Sequence, residues 1–185
     1  MDTNKALQQI IDKEAIRDLV LCYSRAIDRK DFALLRDLYT EDATDAHGPE
    51  FLGTAEEFYS MIESTVPHLI YSGHHVCNHM ISVDGDVANG EVYALALHVM
   101  PGAAGSDERI EDIRAVRYLD NYRRCADGKW RFSKRVVPFD MIMERPFTGD
   151  GTMGPGEDDP SYQVCLQRLF QRGPRESVTE RALID

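Results

Sequence analysis

The chain has 185 residues, of which 43% are hydrophobic and 29% are charged, and this length is enough for one domain that folds without a metal or disulfides. Its 32 acidic residues outnumber its 21 basic residues and give a formal charge of −11. This charge disfavours a nucleic-acid partner, because binding to phosphates needs clustered Lys and Arg.

The first third of the chain predicts three helices. From Thr3 to Ile27, apolar residues recur at three- and four-residue steps, which is typical of an amphipathic helix with one face on a core. Asp31 has the side chain of an N-cap for a second, shorter helix. Thr54 and Glu57 have the spacing of a capping box, so a third helix begins there and continues to about Val66.

After Pro67 the pattern changes to β-branched and aromatic residues that alternate with polar ones. Turn signals at Asp84-Gly85-Asp86 and at Asp127-Gly128 separate long antiparallel strands. The first of these strands is predicted to end at Val83. The next three are predicted to cover Val87 to Met100, Ile110 to Arg124 and Trp130 to Met143. Three helices followed by such strands favour an α+β domain whose curved sheet wraps over the long helix.

The C-terminal segment differs in composition, since it is rich in Gly, Pro and acidic residues. We therefore expect residues 1–143 to form the domain and residues 144–185 to form an arm that is partly irregular. A short helix at Tyr162–Phe170 interrupts this arm in our prediction. The segment fits a lid over a pocket, an arm that reaches a neighbouring subunit, or a solvated tail.

Several polar residues lie in an apolar context. Asp28 ends the first helix, where it fits either a solvated aspartate or a functional carboxylate, and Tyr23 precedes it on the same helix. Strict alternation on the strand that begins near Tyr71 places His74 and Asn78 on one face and His75 and His79 on the other. Metal binding by the second pair lacks a third ligand, so no metal is expected.

Alternation on the next strand puts small residues and a histidine on one face and large apolar residues on the other. The first set is Ala94, Ala96 and His98, and the second set is Tyr93, Leu95 and Leu97. The large residues can fill a core. The small ones fit either the wall of a cavity or an alanine face packed under a helix.

Proton transfer is the chemistry that these residues can supply. The sequence contains no nucleophile elbow, phosphate-binding loop, dinucleotide fingerprint or zinc-protease motif. An Asp and a His within hydrogen-bond reach form a pair in which the carboxylate orients the imidazole as a general base. A neighbouring Tyr or Arg can stabilise an oxyanion.

Three strings of the sequence carry a family resemblance: Ala26-Ile27-Asp28-Arg29-Lys30-Asp31-Phe32, Gly73-His74-His75-Val76-Cys77-Asn78-His79 and Asp127-Gly128-Lys129-Trp130-Arg131-Phe132. With them the chain resembles the SnoaL-like branch of the nuclear-transport-factor-2-like superfamily, which includes scytalone dehydratase, bile-acid 7α-dehydratase and hexachlorocyclohexane dehydrochlorinase. The resemblance covers about Ile10 to Met143 and implies a cone-shaped α+β barrel: three helices on a curved antiparallel sheet with one mixed edge.

The resemblance also implies a set of catalytic residues. The Asp and His of the family's catalytic pair match Asp28 and His74, although His75 beside it stays an alternative base. The Tyr and Arg of bile-acid 7α-dehydratase match Tyr23 and Arg135, and the second His of scytalone dehydratase matches His98. His47 stands where scytalone dehydratase has a tyrosine, and Ile27 replaces another, which argues against scytalone itself as the substrate. Further candidates for substrate binding are His47, His75, Asn78, Tyr118 and Arg117.

The implied function is a lyase without cofactor, with dehydration of a small hydroxylated cyclic or aromatic compound as the leading reaction. His74 would remove a proton, Tyr23 and Arg135 would stabilise the oxyanion, and His98 or His47 would protonate the leaving hydroxyl. A C–C lyase acting on a lignin-type aromatic by retro-aldol or formaldehyde-releasing cleavage, and an isomerase or cyclase, could use the same residues. A non-catalytic binding module is the remaining alternative.

The same expectations extend to partners and location. A small hydroxylated aromatic or polycyclic molecule is the expected partner, and relatives suggest a homo-oligomer, with a trimer favoured over a dimer. No apolar run is long enough for a membrane span, and the residues after Met1 lack the order of a secretory signal. The scattered cysteines Cys22, Cys77, Cys125 and Cys165 fit a reduced, cytoplasmic protein.

Overall fold

A computed structural model describes residues 3–150 and 159–164 of the chain. Its helices are α1 (Thr3–Asp28), α2 (Phe32–Asp37), α3 (Ala55–Thr65) and α4 (Ser161–Val164), with a 3₁₀ turn at Val66–His68. Its strands are β1 (Tyr39–His47), β2 (Phe51–Thr54), β3 (Tyr71–Asp84), β4 (Val87–Pro101), β5 (Arg109–Arg124), β6 (Trp130–Val137) and β7 (Phe139–Pro146). Among these described residues, no helix has both the length and the hydropathy needed to cross a bilayer.

The three predicted N-terminal helices are confirmed, together with their caps. The Asp31 side chain accepts a hydrogen bond from the backbone of Leu34, which begins α2. Thr54 and Glu57 form the reciprocal bonds of a capping box at the start of α3. One face of α1 lies in the core with residues such as Ile16 and Leu19, both fully buried. Of the predicted helix Tyr162–Phe170, residues 162–164 lie in α4 and residues 165–170 lie outside the described residues.

The sheet runs in the order β2-β1-β6-β5-β4-β3. β1 and β6 are parallel, whereas the other neighbouring strands are antiparallel. β6 and β7 follow one edge of β5 in turn: β6 pairs with Leu119–Arg124, and β7 pairs with Ile110–Val116. The predicted fold class, α+β with helices on a curved mixed sheet, is therefore confirmed.

The strands differ from the prediction in three details. The single strand expected at Trp130–Met143 is divided at Pro138, which has no N–H to continue a ladder. The hairpin of β1 and β2 was not expected, because the acidic β1 segment has low β-propensity and takes its structure from pairing with β6. β7 extends to Pro146, so the sheet includes the first residues of the segment expected to form an arm.

On β4 the small side chains are buried and the large ones are exposed, which is the reverse of the expected arrangement. Ala94 and Ala96 are 2% and 4% exposed, whereas Tyr93 and Leu95 are 41% and 39% exposed. The expectation that the large residues fill a core is wrong, because the helices and the aromatic core cover the other face of the sheet. Leu95, Ala115 and Met141 are register neighbours across β4, β5 and β7, so this outer face carries a continuous apolar row.

We propose that copies of the chain associate through this outer face, as a trimer in preference to a dimer. We expect a solution mass that is a multiple of the chain mass, and we expect Leu95→Glu to lower it, because a charge would then be buried in the contact. Leu52→Glu is the control, since Leu52 is exposed on β2, away from this row. A sedimentation mass of one chain for the unmodified protein would contradict the proposal.

Candidate active site

The end of α1 and the start of β3 bring Asp28 and His74 together. Nδ1 of His74 lies 2.7 Å from Oδ1 of Asp28. The backbone N–H of His74 donates to Oδ2 of the same carboxylate at 2.9 Å, and the Ser72 hydroxyl donates to Oδ1 at 2.9 Å. The side chains of Asp28 and His74 are 13% and 8% exposed, so the pair is largely buried but reachable.

The electrostatics of this pair fit a base and its orienting carboxylate. Burial raises the pKa of Asp28, but the hydrogen bonds and charge of His74, with the Ser72 bond, outweigh it and leave the pKa below its ordinary value. When the His74 ring is neutral, an ionised Asp28 can accept its Nδ1–H, which leaves the lone pair of the ring on Nε2. No described residue forms a hydrogen bond with that nitrogen.

His98 lies beside this pair. Its ring is 5.5 Å from the ring of His74 and meets it edge to face. Its Nδ1 is 3.7 Å from Oδ2 of Asp112, the residue opposite it on β5, which is longer than a hydrogen bond. Burial, followed by the charge of His74, lowers the pKa of His98 to about 4, so its imidazole is neutral at neutral pH.

A row across three strands adds a residue that the sequence pattern did not single out. His74, Ala96 and Arg114 are register neighbours on β3, β4 and β5. Arg114 donates to Asp112 at 2.7 Å and to Glu50 at 2.8 Å. Because adjacent strands are about 4.8 Å apart, His74 and Arg114 flank the small Ala96 side chain. Arg114 could have been identified from the alternation of side chains along β5, which places it on the inner face of the sheet.

His47 belongs to a second Asp–His pair. Its Nδ1 lies 3.1 Å from Oδ1 of Asp45, whose Oδ2 accepts a hydrogen bond from the Tyr39 hydroxyl at 3.0 Å. The His47 ring stacks on Phe58, with 5.3 Å between the centroids, and meets Phe139 edge to face. The side chain of Asp45 is fully buried, and that of His47 is 20% exposed.

Tyr23 and Arg135 lie together beneath this surface. The Arg135 guanidinium is 4.1 Å from the ring centroid of Tyr23 and 4.3 Å from that of Tyr118. It forms a two-bond ion pair with Asp120, at 2.7 and 2.8 Å, and both side chains are fully buried. Nη1 of Arg135 is buried and has no hydrogen-bond partner in the described part of the chain. The structure thus brings these predicted residues near one another, with the charge of Arg135 below the site.

Three predicted residues are not brought to this site. Arg117 forms ion pairs with Glu91 and Asp140, on the face of β5 opposite the buried Tyr118. His75 is exposed on the outer side of β3, across from Leu95, so His74 and not His75 is paired with Asp28. Asn78 is also exposed.

A β-bulge explains why the predicted faces of β3 are wrong beyond Val76. The register with β4 shifts between Val76 and His79, and one extra residue reverses the side on which later residues lie. His79 therefore turns inward, where its Nε2 lies 3.3 Å from the Tyr122 hydroxyl. Within the described part of the chain, no group of three or more His, Cys, Asp or Glu side chains has the arrangement of a metal site.

The second described segment, residues 159–164, contacts the end of α1 that carries Asp28. Asp159 forms a 2.7 Å ion pair with Arg29. Ser161 accepts a hydrogen bond from Arg25 at 2.8 Å, and Arg25 also lies over the Tyr162 ring. Part of the expected arm therefore docks beside the site, whereas residues 151–158, which were expected to be irregular, lie outside the described residues.

A family model described as a SnoaL-like domain matches residues 8–136. The chain belongs to the SnoaL-like family. This SnoaL-like protein is 28% identical over 135 residues to uncharacterized proteins of Mycobacterium tuberculosis strain H37Rv and Mycobacterium bovis, which covers 71% of the chain and 87% of each relative. The resemblance inferred from the sequence motifs is thereby confirmed.

Two solved structures illustrate the shared fold. Hexachlorocyclohexane dehydrochlorinase type 3 from Novosphingobium barchaimii LL02 has a TM-score of 0.65 and 22% identity, covering 81% of this chain and 99% of that one. A proposed scytalone dehydratase from Novosphingobium aromaticivorans has a TM-score of 0.65 and 22% identity, covering 80% and 94%. At these identities the likeness shows the fold alone.

The low pKa of His98 predicts a specific pH dependence of stability. Its folded pKa of about 4 lies below the ordinary 6.5, so the unfolded chain binds more protons between these values. The free energy of unfolding should therefore fall as the pH drops from 6.5 to 4, by up to about 3 kcal/mol from this group, and level off below. We expect His98→Gln to reduce this slope in urea titrations, whereas His68→Gln, at an exposed position, should retain it. Equal slopes in all three proteins would contradict the assignment.

Proposed function

We propose that this SnoaL-like protein is a cofactor-independent lyase, and specifically a dehydratase of a small hydroxylated cyclic or aromatic compound. The observation that carries the proposal is the 2.7 Å contact between Asp28 and His74, in a pair that stays reachable from solvent. A dehydrochlorinase and a proposed dehydratase share the fold, and both names describe eliminations. A binding module would not need a carboxylate oriented on an imidazole.

The proposed reaction begins at Nε2 of His74. This nitrogen removes a proton from the carbon next to a carbonyl group, while Asp28 holds the opposite side of the ring and stabilises the imidazolium that forms. The electron pair of the C–H bond moves toward the carbonyl oxygen. It then forms a C=C bond as the C–O bond at the β-position breaks, and the leaving oxygen takes a proton and departs as water.

We propose that Arg135 and Tyr23 stabilise the oxyanion from below. Arg135 is fully buried, so its positive charge acts through a medium of low dielectric, where electrostatic stabilisation is larger than in water. Asp120 holds the guanidinium from one side. Nη1 has no hydrogen-bond partner among the described residues, so its two N–H groups are not used by them. The acid is assigned to His98 or His47.

The experiment is turnover of a panel of hydroxylated aromatic and cyclic ketones by the unmodified protein and by Asp28→Asn and His74→Ala. Loss of a positioned base or of its orienting partner should lower kcat about 10²–10⁴-fold. His75→Ala is the matched control, because His75 neighbours His74 but lies on the outer face of the sheet. The product mass should be lower than the substrate mass by one water.

Three outcomes would contradict this proposal. Unchanged rates in both Asp28→Asn and His74→Ala would show that the pair is not the base. A product with the mass of the substrate would indicate an isomerase or cyclase, and release of a carbon fragment would indicate a C–C lyase. Either product result would retain the pair but overturn dehydration.

A further inference from the structure

We propose that Asp45 and His47 form a second proton-transfer pair, in which His47 is the acid that protonates the leaving oxygen. This inference rests on the proposed elimination and names the residue for its second half. His47 repeats the arrangement of His74: its Nδ1 contacts a carboxylate, at 3.1 Å from Oδ1 of Asp45, and its Nε2 has no hydrogen-bond partner among the described residues. The Tyr39 hydroxyl fixes the other oxygen of Asp45 at 3.0 Å.

Of the imidazoles in the site, His98 is the alternative acid, and its geometry is less suitable. Its Nδ1 is 3.7 Å from Asp112, beyond hydrogen-bond reach, and that carboxylate is already engaged by Arg114 at 2.7 Å. When Nδ1–H is held by a carboxylate, the ring can donate from Nε2 only as an imidazolium, and a carboxylate in direct contact stabilises that form. The low pKa of His98, about 4 because of burial, agrees with a neutral ring there.

A chain of contacts places His47 on the same inner surface as His74. The ring of His47 is 6.1 Å from the ring of Phe139, and Arg114 lies 4.9 Å above that ring. Arg114 then contacts Asp112, which lies beside His98, and His98 is 5.5 Å from His74. The two Asp–His pairs thus lie at opposite ends of one continuous wall.

The buried Tyr118 lies within the electrostatic reach of both pairs. Burial raises the pKa of Tyr118, the charge of Arg135 opposes this effect, and the charges of Asp120, Asp28 and Asp45 add to it. The charges of Asp28, on α1, and Asp45, on β1, therefore both raise the pKa of the same phenol.

The proposed step balances without a co-reactant. His47 starts protonated on both nitrogens, with Nδ1–H on Asp45. The C–O bond breaks with its electron pair on oxygen, the Nε2–H proton of His47 moves to that oxygen, and water leaves. His74 ends with the proton taken from carbon, and exchange with solvent returns each ring to its starting state. Asp45 is a positioning residue in this step, because it acts through His47.

The test separates proton abstraction from elimination. The probe is 3-hydroxy-1-tetralone in D₂O, a β-hydroxy ketone fused to an aromatic ring that loses water to give 1-naphthol. His47→Gln should retain His74-dependent exchange of the C2 protons, measured by NMR, and lose about 10²-fold or more of the rate of 1-naphthol formation. Asp45→Asn should shift the same ratio in the same direction. Retained exchange also shows that each variant is folded.

Two controls make the outcomes decisive. Asp42→Asn changes an exposed carboxylate on the same strand as Asp45 and should leave both rates unchanged. His74→Gln should lose exchange and elimination together. Elimination by His47→Gln at the unmodified rate would overturn this inference alone. Absence of both exchange and elimination in the unmodified protein would overturn the proposed function for this substrate class, and the inference with it.

Discussion

The carboxylate of Asp28 is the point on which the site depends. It accepts hydrogen bonds from the Ser72 hydroxyl, the backbone N–H of His74 and the His74 ring. The first two bonds fix the start of β3 against the end of α1, so the third is formed without further ordering of the chain. This arrangement explains how the His74 ring is held in a fixed orientation before any substrate binds.

Buried charge is the second feature that shapes the interior. Asp45, Asp112 and Asp120 are at most 2% exposed, and Arg135 is fully buried. Removing such groups from water is costly unless each charge is paired. Asp120 is paired with Arg135, Asp112 with Arg114, and Asp45 with His47 and Tyr39. Each pairing fixes a side chain along the wall that connects His47 to His74, so the wall is preorganised in the absence of substrate.

Much of this arrangement could be predicted from the sequence. The helix period and the capping signals at Asp31 and Thr54 predicted the helices, because these features are local. The pairing of Asp28 with His74 came from the resemblance to the family, since nothing local distinguishes a functional aspartate at a helix end from a solvated one. The structure agrees with the sequence pattern where the local structure depends only on residues close together in the chain.

The structure differs from the prediction where pairing with another strand determines whether a segment is a strand or which face its side chains occupy. The acidic segment Tyr39–His47 is a strand because it pairs with β6, and without that strand the pairing of His47 with Asp45 could not be foreseen. The bulge after Val76 reverses the faces of β3 and moves His79 inward. Arg114 and Arg117 lie on opposite faces of β5, and only Arg114 lies on the face that forms the site.

The central claim is that Asp28 holds His74 with a free lone pair on Nε2. Nitrogen-15 NMR of histidine-labelled protein tests it most directly, with the His74 signals assigned from the spectrum of His74→Gln. In the neutral ring, the account predicts a protonated Nδ1 and an unprotonated Nε2, and loss of this preference in Asp28→Asn. A neutral His74 ring that carries its proton on Nε2 in the unmodified protein would contradict the account.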